Sequence, residues 1–425
     1  MRSSTARLAR LLPLGLTLLP ACFGAGSRSF LFQGTGLEEK AEREETFALP
    51  LKEGERLAFE EIGGNVEVVA DAAAEPTLRV RLVAHGSTQE EAQRILERYR
   101  ARVEPQRGGL VVRYEGDPYV IEEGNVTWTI GASAHFSATV PPGIRVRART
   151  TSGKVAVRGP LADCDLETKF GEVEATDVEG NLLARTSSGP MRIARARGGE
   201  VQVVSEFGNL TLEDVRAETV RAESRSGRVA LEDVAAESIR VRSGFGELDL
   251  SRVSGDVEAR TSSGAVTVAE AGEGRLVLRT DFGTVKVRDA SGQLEAESRS
   301  GAVTVTDFAG DASVKSGFGS LALEGVFRKL DARTTSGSVT GKIAAGSAPA
   351  SAWHLSSGFG NVTLEVPATF DCRLEAETSF GEVESDFHLG SRDDRKTLTG
   401  DVNAGGEVVR LETKSGSIRV RKVAP

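Results

Sequence analysis

The chain has 425 residues and a formal net charge of −9. Its 48 glycines make up about 11% of the residues, where roughly 7% is usual, and only 5% of the residues are aromatic. A hydrophobic content of 39% is enough to build a core, which excludes wholesale disorder. The acidic charge argues against a nucleic-acid partner, and the scarcity of aromatic residues argues against a large ligand pocket.

The first 22 residues resemble a bacterial lipoprotein signal. Three arginines within the first ten residues precede the apolar run 11–19, and Leu19-Pro20-Ala21-Cys22 has the form of a lipobox. The apolar run is too short to cross a bilayer as a helix, which takes about 20 residues. The resemblance implies that Cys22 is lipidated and becomes the new N-terminus. The alternative is an ordinary secretory signal in which Cys22 has no role.

Residues 23–45 are predicted to be a flexible tether, because they are polar or charged and show little apolar periodicity. In lipoprotein sorting, a residue other than Asp after the lipidated cysteine implies export to the outer membrane, and Phe23 stands there. We therefore expect an extracytoplasmic lipoprotein, on the outer membrane if the host has two membranes. The acidic surface would not attract an anionic bilayer, so the lipid would hold the protein in place.

An internal repeat occupies most of the chain. A glycine recurs at intervals of 18 or 19 residues, and we predict that this set forms one structural corner of a repeated coil: Gly153, Gly171, Gly189, Gly208, Gly227, Gly246, Gly264, Gly283, Gly301, Gly319 and Gly337. Three later glycines have the same local pattern: Gly360, Gly381 and Gly416.

Apolar and polar residues alternate on both sides of each corner glycine. Positions five and seven before it and two and four after it are mostly apolar, which predicts two half-buried strands per unit. Units of equal length with one buried face stack naturally on one another. The predicted fold class is therefore all-β: a parallel β-solenoid (β-helix) of about 14–15 coils with 18–19 residues per coil, plus an N-terminal capping region that contains one α-helix.

A Ser or Thr stands three residues before every one of these glycines. We predict that this column is buried and forms a hydroxyl ladder, in which each side chain donates a hydrogen bond to the next coil. The role is structural rather than catalytic. The corner glycine itself suits a position that needs a positive φ or a close approach of backbone.

The residue directly before the corner glycine alternates between Ser and Phe along the repeat. Strand alternation predicts that this position points inward, where a Phe on every coil would overfill the core and a Phe on every second coil has room. We therefore predict a structural core column, with a ligand platform as the alternative: Phe170, Phe207, Phe245, Phe282, Phe318, Phe359 and Phe380. Phe359 and Phe380 follow one another without a Ser between them, so the pattern loosens near the C-terminus.

Residues 46–145 are predicted to be an N-terminal cap and first strands, and residues 146–422 to be the β-solenoid repeat domain. The cap contains a helix at 87–103, in which Ser87 and Glu90 form a capping box. We expect this helix to pack across the first coils. Strand-like runs of the cap are found at 65–69, 78–83, 110–114 and 126–130.

The C-terminal end of the repeat is less regular. Gly400, with Thr397 before it and Val402 after it, is predicted to mark a degraded coil. Gly416 is predicted to close the array.

The phrase Thr139-Val140-Pro141-Pro142-Gly143-Ile144-Arg145-Val146, followed by Thr151-Ser152-Gly153-Lys154-Val155 and its repeats, resembles the putative adhesin family of bacterial envelope proteins. The resemblance covers about residues 55–422, and its motif is a structural repeat, so it is specific for fold and weak for activity. It implies an extracytoplasmic, often membrane-anchored β-solenoid without established catalysis. The strict Phe/Ser alternation and the helix are not part of the resemblance.

Residues able to do chemistry show no catalytic or metal-binding spacing. Cys164 and Cys372 are predicted to fill core sites, too far apart for a disulfide. Acidic pairs such as Glu172 and Glu174 could bind calcium or act in a glycosidase, but solvated strand positions explain them more simply. Isolated histidines complete the set: His85, His135, His354 and His388. We predict no enzyme activity and no cofactor.

The predicted function is that of a lipid-anchored cell-envelope β-solenoid, acting as a monomeric, non-enzymatic binding, adhesin-like or scaffold module. Its expected partners are the membrane, through the lipid, and an envelope protein or glycan. One alternative is a polysaccharide-acting β-helix enzyme, although such enzymes have longer and less regular coils. The other is an envelope structural protein that self-assembles end to end, against which the capping helix argues at one end.

Overall fold

The computed structural model describes residues 38–123, 126–389 and 395–423. Cys22, and the predicted tether as far as residue 37, lie outside the described residues. The protein is all-β with one short helix and forms a parallel β-solenoid, which confirms the predicted fold class. In the part of the chain that the structure describes, none of the helical structure is long and apolar enough to span a membrane.

The N-terminal part contains eight strands and the helix. Their bounds are β1 (Glu39–Ala48), β2 (Arg56–Ala70), β3 (Thr77–Gly86), α1 (Gln89–Glu97), β4 (Tyr99–Gln106), β5 (Gly109–Gly116), β6 (Tyr119–Glu123), β7 (Val126–Ile130) and β8 (Ser133–Val140). The four strand-like runs predicted for the cap fall within β2, β3, β5 and β7.

The repeat forms the next strands in chain order. They are β9 (Arg145–Ser152), β10 (Val155–Leu161), β11 (Cys164–Thr168), β12 (Val173–Val178), β13 (Leu182–Thr186), β14 (Met191–Ala194), β15 (Arg197–Ser205), β16 (Leu210–Ser224), β17 (Val229–Ser243), β18 (Leu248–Thr261), β19 (Val266–Ala271), β20 (Arg275–Thr280), β21 (Val285–Ser298), β22 (Val303–Ser316), β23 (Leu321–Ser336), β24 (Val339–Ile343), β25 (Trp353–Phe359) and β26 (Val362–Pro367).

The C-terminal part contributes five strands. They are β27 (Cys372–Phe380), β28 (Val383–Ser385), β29 (Thr397–Val402), β30 (Val408–Ser415) and β31 (Ile418–Val423).

Each coil places one segment on each of two faces of the solenoid. In the coil that follows Gly227, residues 229–232 lie on the face after the corner and residues 239–243 on the face before the next corner. Both segments pair in register with the same positions of the neighbouring coil. Inward residues of the two faces meet in one continuous apolar core. The predicted alternation on both sides of the glycine is therefore confirmed.

In the coils from Gly171 to Gly301, a second corner lies six residues after the glycine. In eight successive coils its residue has a left-handed backbone conformation with φ between 51° and 61°: Asp177, Arg195, Asp214, Asp233, Arg252, Glu270, Asp289 and Asp307. This conformation is unfavourable for residues with a Cβ, and the sequence pattern did not reveal it. The residue directly after this corner is apolar and buried in these eight coils, and in the next coil Phe327 is buried in place of Val326, where the register shifts by one residue.

The cap continues both faces of the solenoid beyond the first repeat. Strand β2 spans both faces and adds a further corner at Gly64, on which Gly153 stacks. Antiparallel strands then extend each face: β3 and β1 on one, β4 on the other. Residues 39–45, predicted to be tether, belong to β1 instead. An edge strand needs few apolar residues, which is why β1 lacked a strand signal.

The helix is shorter than predicted. Its N-cap is Thr88, whose Oγ1 accepts a hydrogen bond from the Glu91 backbone N–H at 3.2 Å, while the Glu91 carboxylate accepts one from the Ser87 N–H. The capping box thus lies one residue later than predicted. Tyr99 belongs to β4, because its apolar pattern continues with strand periodicity. The helix packs on β1 and β3 rather than across the first coils.

The last segment of the chain does not form the last coil. Strand β30 lies between β25 and β27, and β31 lies between β26 and β28. The coil of Gly416 is therefore inserted between the coils of Gly360 and Gly381, and the coil of Gly381 is the terminal one. Gly400 lies in β29, which runs antiparallel to β27 and covers its edge. The predictions for Gly400 and Gly416 were wrong in this respect.

Candidate binding surface along the glycine corner

The corner glycines are required by the close approach of neighbouring coils. A Cβ added to Gly227 would lie 1.9 Å from the carbonyl oxygen of Gly208, and one added to Gly246 would lie 1.9 Å from that of Gly227. Most of the corner glycines do not have a positive φ. Of the two reasons that the sequence allowed for glycine, close approach is therefore the one that applies along the stack.

Buried hydroxyl groups fill the inner side of the corner. Ser224 Oγ donates to the Gly208 carbonyl of the preceding coil at 3.1 Å and accepts from the Gly227 N–H of its own coil at 2.8 Å. Thr261 makes the same two bonds, which satisfy the polar groups of the turn. The predicted ladder is confirmed, since all fourteen members are buried: Thr150, Thr168, Thr186, Ser205, Ser224, Ser243, Thr261, Thr280, Ser298, Ser316, Thr334, Ser357, Thr378 and Thr413.

The seven phenylalanines predicted to form a core column point outward instead. Their exposed fractions range from 44% at Phe170 to 77% at Phe380. Strand alternation ends at the turn, because the hydroxyl three residues before the glycine folds back onto the glycine N–H. The inside of the corner is then occupied by hydroxyls and carbonyls, and no ring can enter. Among the described residues these are the exposed large hydrophobic side chains: Phe170, Phe207, Phe245, Phe282, Phe318, Phe359 and Phe380.

The Phe/Ser alternation extends to the C-terminal end of the solenoid. Ser336 pairs with Phe359, Phe359 pairs with Ser415 of the inserted coil, and Ser415 pairs with Phe380. The alternation of Phe and Ser, which is broken between Phe359 and Phe380 in the sequence, is therefore complete on successive coils of the structure. We call the seven exposed rings the phenylalanine stripe, and the serines that alternate with them, of which Ser152 precedes the first ring, the serine gaps: Ser152, Ser188, Ser226, Ser263, Ser300, Ser336 and Ser415. Coils about 4.8 Å apart place successive rings about 9.6 Å apart.

The acidic pairs on the outer faces are held by basic residues. Lys154 Nζ lies 2.7 Å from Glu174 and 3.5 Å from Glu172. The hydrogen bond from Lys154 holds the pKa of Glu174 below its ordinary value. Arg228 and Asp249 form a similar pair between coils, at 2.7 Å. In the described ranges, His, Cys, Asp and Glu side chains form no group of three or more that could hold a metal ion.

The cysteines and histidines occupy separate places. Cys164 and Cys372 are free and buried, as predicted for core sites, and burial raises the pKa of both thiols to about 12. His135 Nδ1 lies 3.0 Å from the Asn65 side-chain amide, and His354 Nε2 lies 3.1 Å from the Glu412 carboxylate. The structure does not bring the four histidines, which are isolated from one another in the sequence, into one cluster.

Among the solved structures with some likeness to this chain are proteins from three bacteria. A "putative adhesin" from Bacteroides fragilis is 12% identical, with 72% of this chain and 97% of that chain covered and a TM-score of 0.24. One from Parabacteroides distasonis is 9% identical, with 71% and 97% covered and a TM-score of 0.27. A "putative cell adhesion protein" from Clostridium sporogenes is 7% identical, with 90% and 100% covered and a TM-score of 0.18. No curated protein matches the chain.

The repeat itself is diagnostic of a family. The family model Toastrack DUF4097 matches residues 145–308 and 274–421, which together span the corner glycines from Gly153 to Gly416 and more than half of the chain. The stacked glycine corner and the hydroxyl ladder lie within these matched residues. The chain therefore belongs to the Toastrack DUF4097 family.

Proposed function

We propose that this protein is a lipid-anchored module of the cell envelope that binds its partner through the phenylalanine stripe, as an adhesin-like or scaffold protein without catalysis. The observation that carries the proposal is the outward position of seven phenylalanines in a single row. Apolar side chains scattered singly are normal on a soluble protein, whereas larger exposed apolar areas rimmed by polar residues mark interaction sites. Each ring exposes roughly 100 Å², so the stripe presents on the order of 700 Å².

The solenoid holds the stripe in a rigid arrangement. Neighbouring coils pair through in-register backbone hydrogen bonds on both faces, so the spacing of the rings is set before a partner arrives. A preorganised surface loses little conformational entropy on binding. Phenylalanine has few side-chain torsions, so the stripe offers a large contact area at a low entropic cost. An extended protein surface or a glycan chain with a matching repeat suits such a row.

The proposed location rests on the N-terminal sequence. The lipobox ending at Cys22 supports lipidation, and export to the outer membrane applies if the host has two membranes. The strand β1 begins at Glu39, so 16 residues, 23–38, would link the lipidated cysteine to the folded protein. An acidic solenoid with many outward ion pairs suits an aqueous envelope space rather than a nucleic-acid surface.

The anchor is tested with a Cys22→Ser variant expressed in the native host. We expect the parent protein to fractionate with membranes and to be released by detergent, and the variant to be recovered in the soluble envelope fraction. The far-UV circular dichroism of the two proteins should be the same. Retention of the variant in the membrane fraction would refute lipid anchoring.

The binding surface is tested with the triple variant Phe207→Ser, Phe245→Ser, Phe282→Ser. These rings are exposed and Ser already occupies the same position on alternate coils, so the fold should be kept. Crosslinking in intact envelopes, followed by capture, should recover a partner with the parent chain and at least tenfold less with the variant. Equal recovery would contradict the proposal.

A matched control changes three outward residues away from the stripe: Arg221→Ser, Arg240→Ser and Lys286→Ser. These residues lie on strands β16, β17 and β21, within the same part of the solenoid. Recovery with the control variant should equal recovery with the parent chain.

A further inference from the structure

We propose that the partner of the phenylalanine stripe is a second copy of this chain, joined to the first as an antiparallel, two-fold symmetric dimer. This inference rests on the proposed function, because it takes the stripe to be the binding surface. In the dimer each ring of one copy enters a serine gap of the other. The occupant follows from the shape of the stripe, which is complementary to itself.

The stripe consists of seven rings and seven gaps in strict alternation. A two-fold axis perpendicular to the rod reverses the order of the coils. When this axis passes midway between the Ser263 and Phe282 positions, the reversed order places every ring opposite a gap. The facing pairs are Phe170 with Ser415, Phe207 with Ser336, Phe245 with Ser300, Phe282 with Ser263, Phe318 with Ser226, Phe359 with Ser188 and Phe380 with Ser152.

The inserted C-terminal coil completes this match. Without Ser415 between them, Phe359 and Phe380 would stand on adjacent coils, and no small residue would separate the two rings. Rings about 4.8 Å apart would leave no gap for a ring of the second copy. The insertion thus supplies the seventh gap, and the number of gaps equals the number of rings.

The area available is that of a stable dimer. Seven rings, most of them about two-thirds exposed, together with the serine positions between them, would bury roughly 700–900 Å² on each copy. Standard-size interfaces bury about 800 Å² per partner. A two-fold contact uses the same surface on both copies, so it closes at the dimer and does not propagate into a filament.

Charges beside the stripe favour neither association nor separation. In the proposed register Lys154 lies opposite Glu382 of the second copy, which is attractive, and Lys169 lies opposite Lys414, which is repulsive. The other facing positions next to the stripe carry at most one charge per pair. The rings therefore decide the association, and we expect the dimer to depend weakly on salt.

Sedimentation velocity of the purified Cys22→Ser chain tests association from low concentration up to about 100 μM. We expect a dimer that dissociates on dilution. The double variant Phe245→Ser, Phe282→Ser should raise the dissociation constant at least tenfold, and Arg240→Ser should leave it unchanged. A monomer at every concentration overturns the inference, as does a dimer that is equally stable in the double variant.

The register is tested by mixing two singly substituted chains, Ser152→Cys and Phe380→Cys, under mild oxidation in the Cys22→Ser background. The antiparallel register predicts a disulfide between the two different chains. Disulfides between identical chains would show a parallel arrangement and overturn the proposal. A mixture of Phe380→Cys with Ser263→Cys is the matched control and should form no disulfide between the two different chains, because these positions lie many coils apart in the dimer. The native Cys164 and Cys372 are buried and should not interfere.

The two proposals can fail separately. If the parent chain is a monomer, but the triple stripe variant loses an envelope protein or glycan, then the stripe binds another molecule and only the dimer is refuted. If neither association nor capture depends on the rings, the proposed function fails as well.

Discussion

Phe359 and Ser415 occupy the same position on adjacent coils, although the whole coil of Gly381 separates them along the chain. Ser415 also pairs with Phe380 on its other side. The last strands of the chain are thus central members of the stack rather than its end. The coil of Gly381 contacts the rest of the solenoid through β30 and β31, so it can pack on the solenoid only after these two strands are in place.

The first prediction concerns the glycine corner. Gly227→Ala should destabilise the protein by about 3 kcal/mol, the upper end of the usual cost of overpacking, because the new Cβ would lie 1.9 Å from the Gly208 carbonyl oxygen and backbone on both coils would have to move. Urea unfolding followed by circular dichroism measures the change. Gly63→Ala is the control, because a Cβ there would meet nothing within 4 Å, and its unfolding midpoint should stay that of the parent. Similar midpoints for the two variants would contradict the close-approach argument.

The second prediction concerns the hydroxyl ladder. In the parent protein Thr261 Oγ1 lies 3.2 Å from the Gly264 nitrogen and 3.0 Å from the Gly246 carbonyl oxygen. Thr261→Val keeps the shape of the side chain but leaves both of these backbone groups without their hydroxyl partner. Buried groups without partners cost about 1–3 kcal/mol, so stability should fall by that amount. Thr261→Ser retains the hydroxyl and should cost less than about 1 kcal/mol. A Val variant as stable as the Ser variant would show that the ladder is dispensable.

The third prediction concerns the left-handed second corner. Glu270 has a φ of 55°, a conformation in which glycine is favoured over residues with a Cβ. Glu270→Gly should therefore stabilise the protein by up to about 1 kcal/mol. Glu297 is an exposed residue inside β21, so Glu297→Gly should destabilise it. The comparison is made by thermal and urea unfolding, and opposite signs for the two variants are the expected result.

The fourth prediction concerns the pH dependence of the cap. Burial, helped by the positive charges of Arg81 and Lys40 and opposed by Glu42, lowers the pKa of His135 from its ordinary value of 6.5. Between the lowered and the ordinary pKa the unfolded chain binds more protons than the folded one, so the cap should lose stability as the pH falls below about 6.5. Protonation of Nδ1 would also break the hydrogen bond from Asn65.

Amide hydrogen exchange in β3 and β8, corrected for the intrinsic rate at each pH, measures this loss. His135→Gln should reduce the pH dependence, and the remainder is expected from His85, whose pKa is also lowered by burial. His354→Gln lies outside the cap and should leave the profile unchanged. A profile that is the same in the His135 variant and the parent would exclude His135 as the titrating group.

Local patterns predicted most of the solenoid. The spacing of Gly153 to Gly337, the alternation on both faces and the Ser/Thr three residues before each glycine are all short-range features, and the structure confirms each of them. They are readable because each coil repeats the same contacts with its neighbours, so one local solution applies along the stack. The helix was also predicted, because its cap and its apolar spacing are short-range features. Its end was misplaced because helical and strand periodicity overlap at Tyr99.

The candidate binding surface was not predictable in this way. Phe245 stands two residues after Ser243, and strand alternation predicts that both side chains point inward. In the structure the Ser243 hydroxyl accepts a hydrogen bond from the Gly246 N–H and takes the inner position, so the Phe245 ring points outward. The place of Ser415 was also hidden, since nothing in the local sequence says between which coils a returning strand will pair. The sequence by itself determined the coil, its length and its inner ladder. Only the tertiary structure decided which side of the corner the rings occupy and how the last coil completes their alternation, because both depend on contacts between segments distant in the chain.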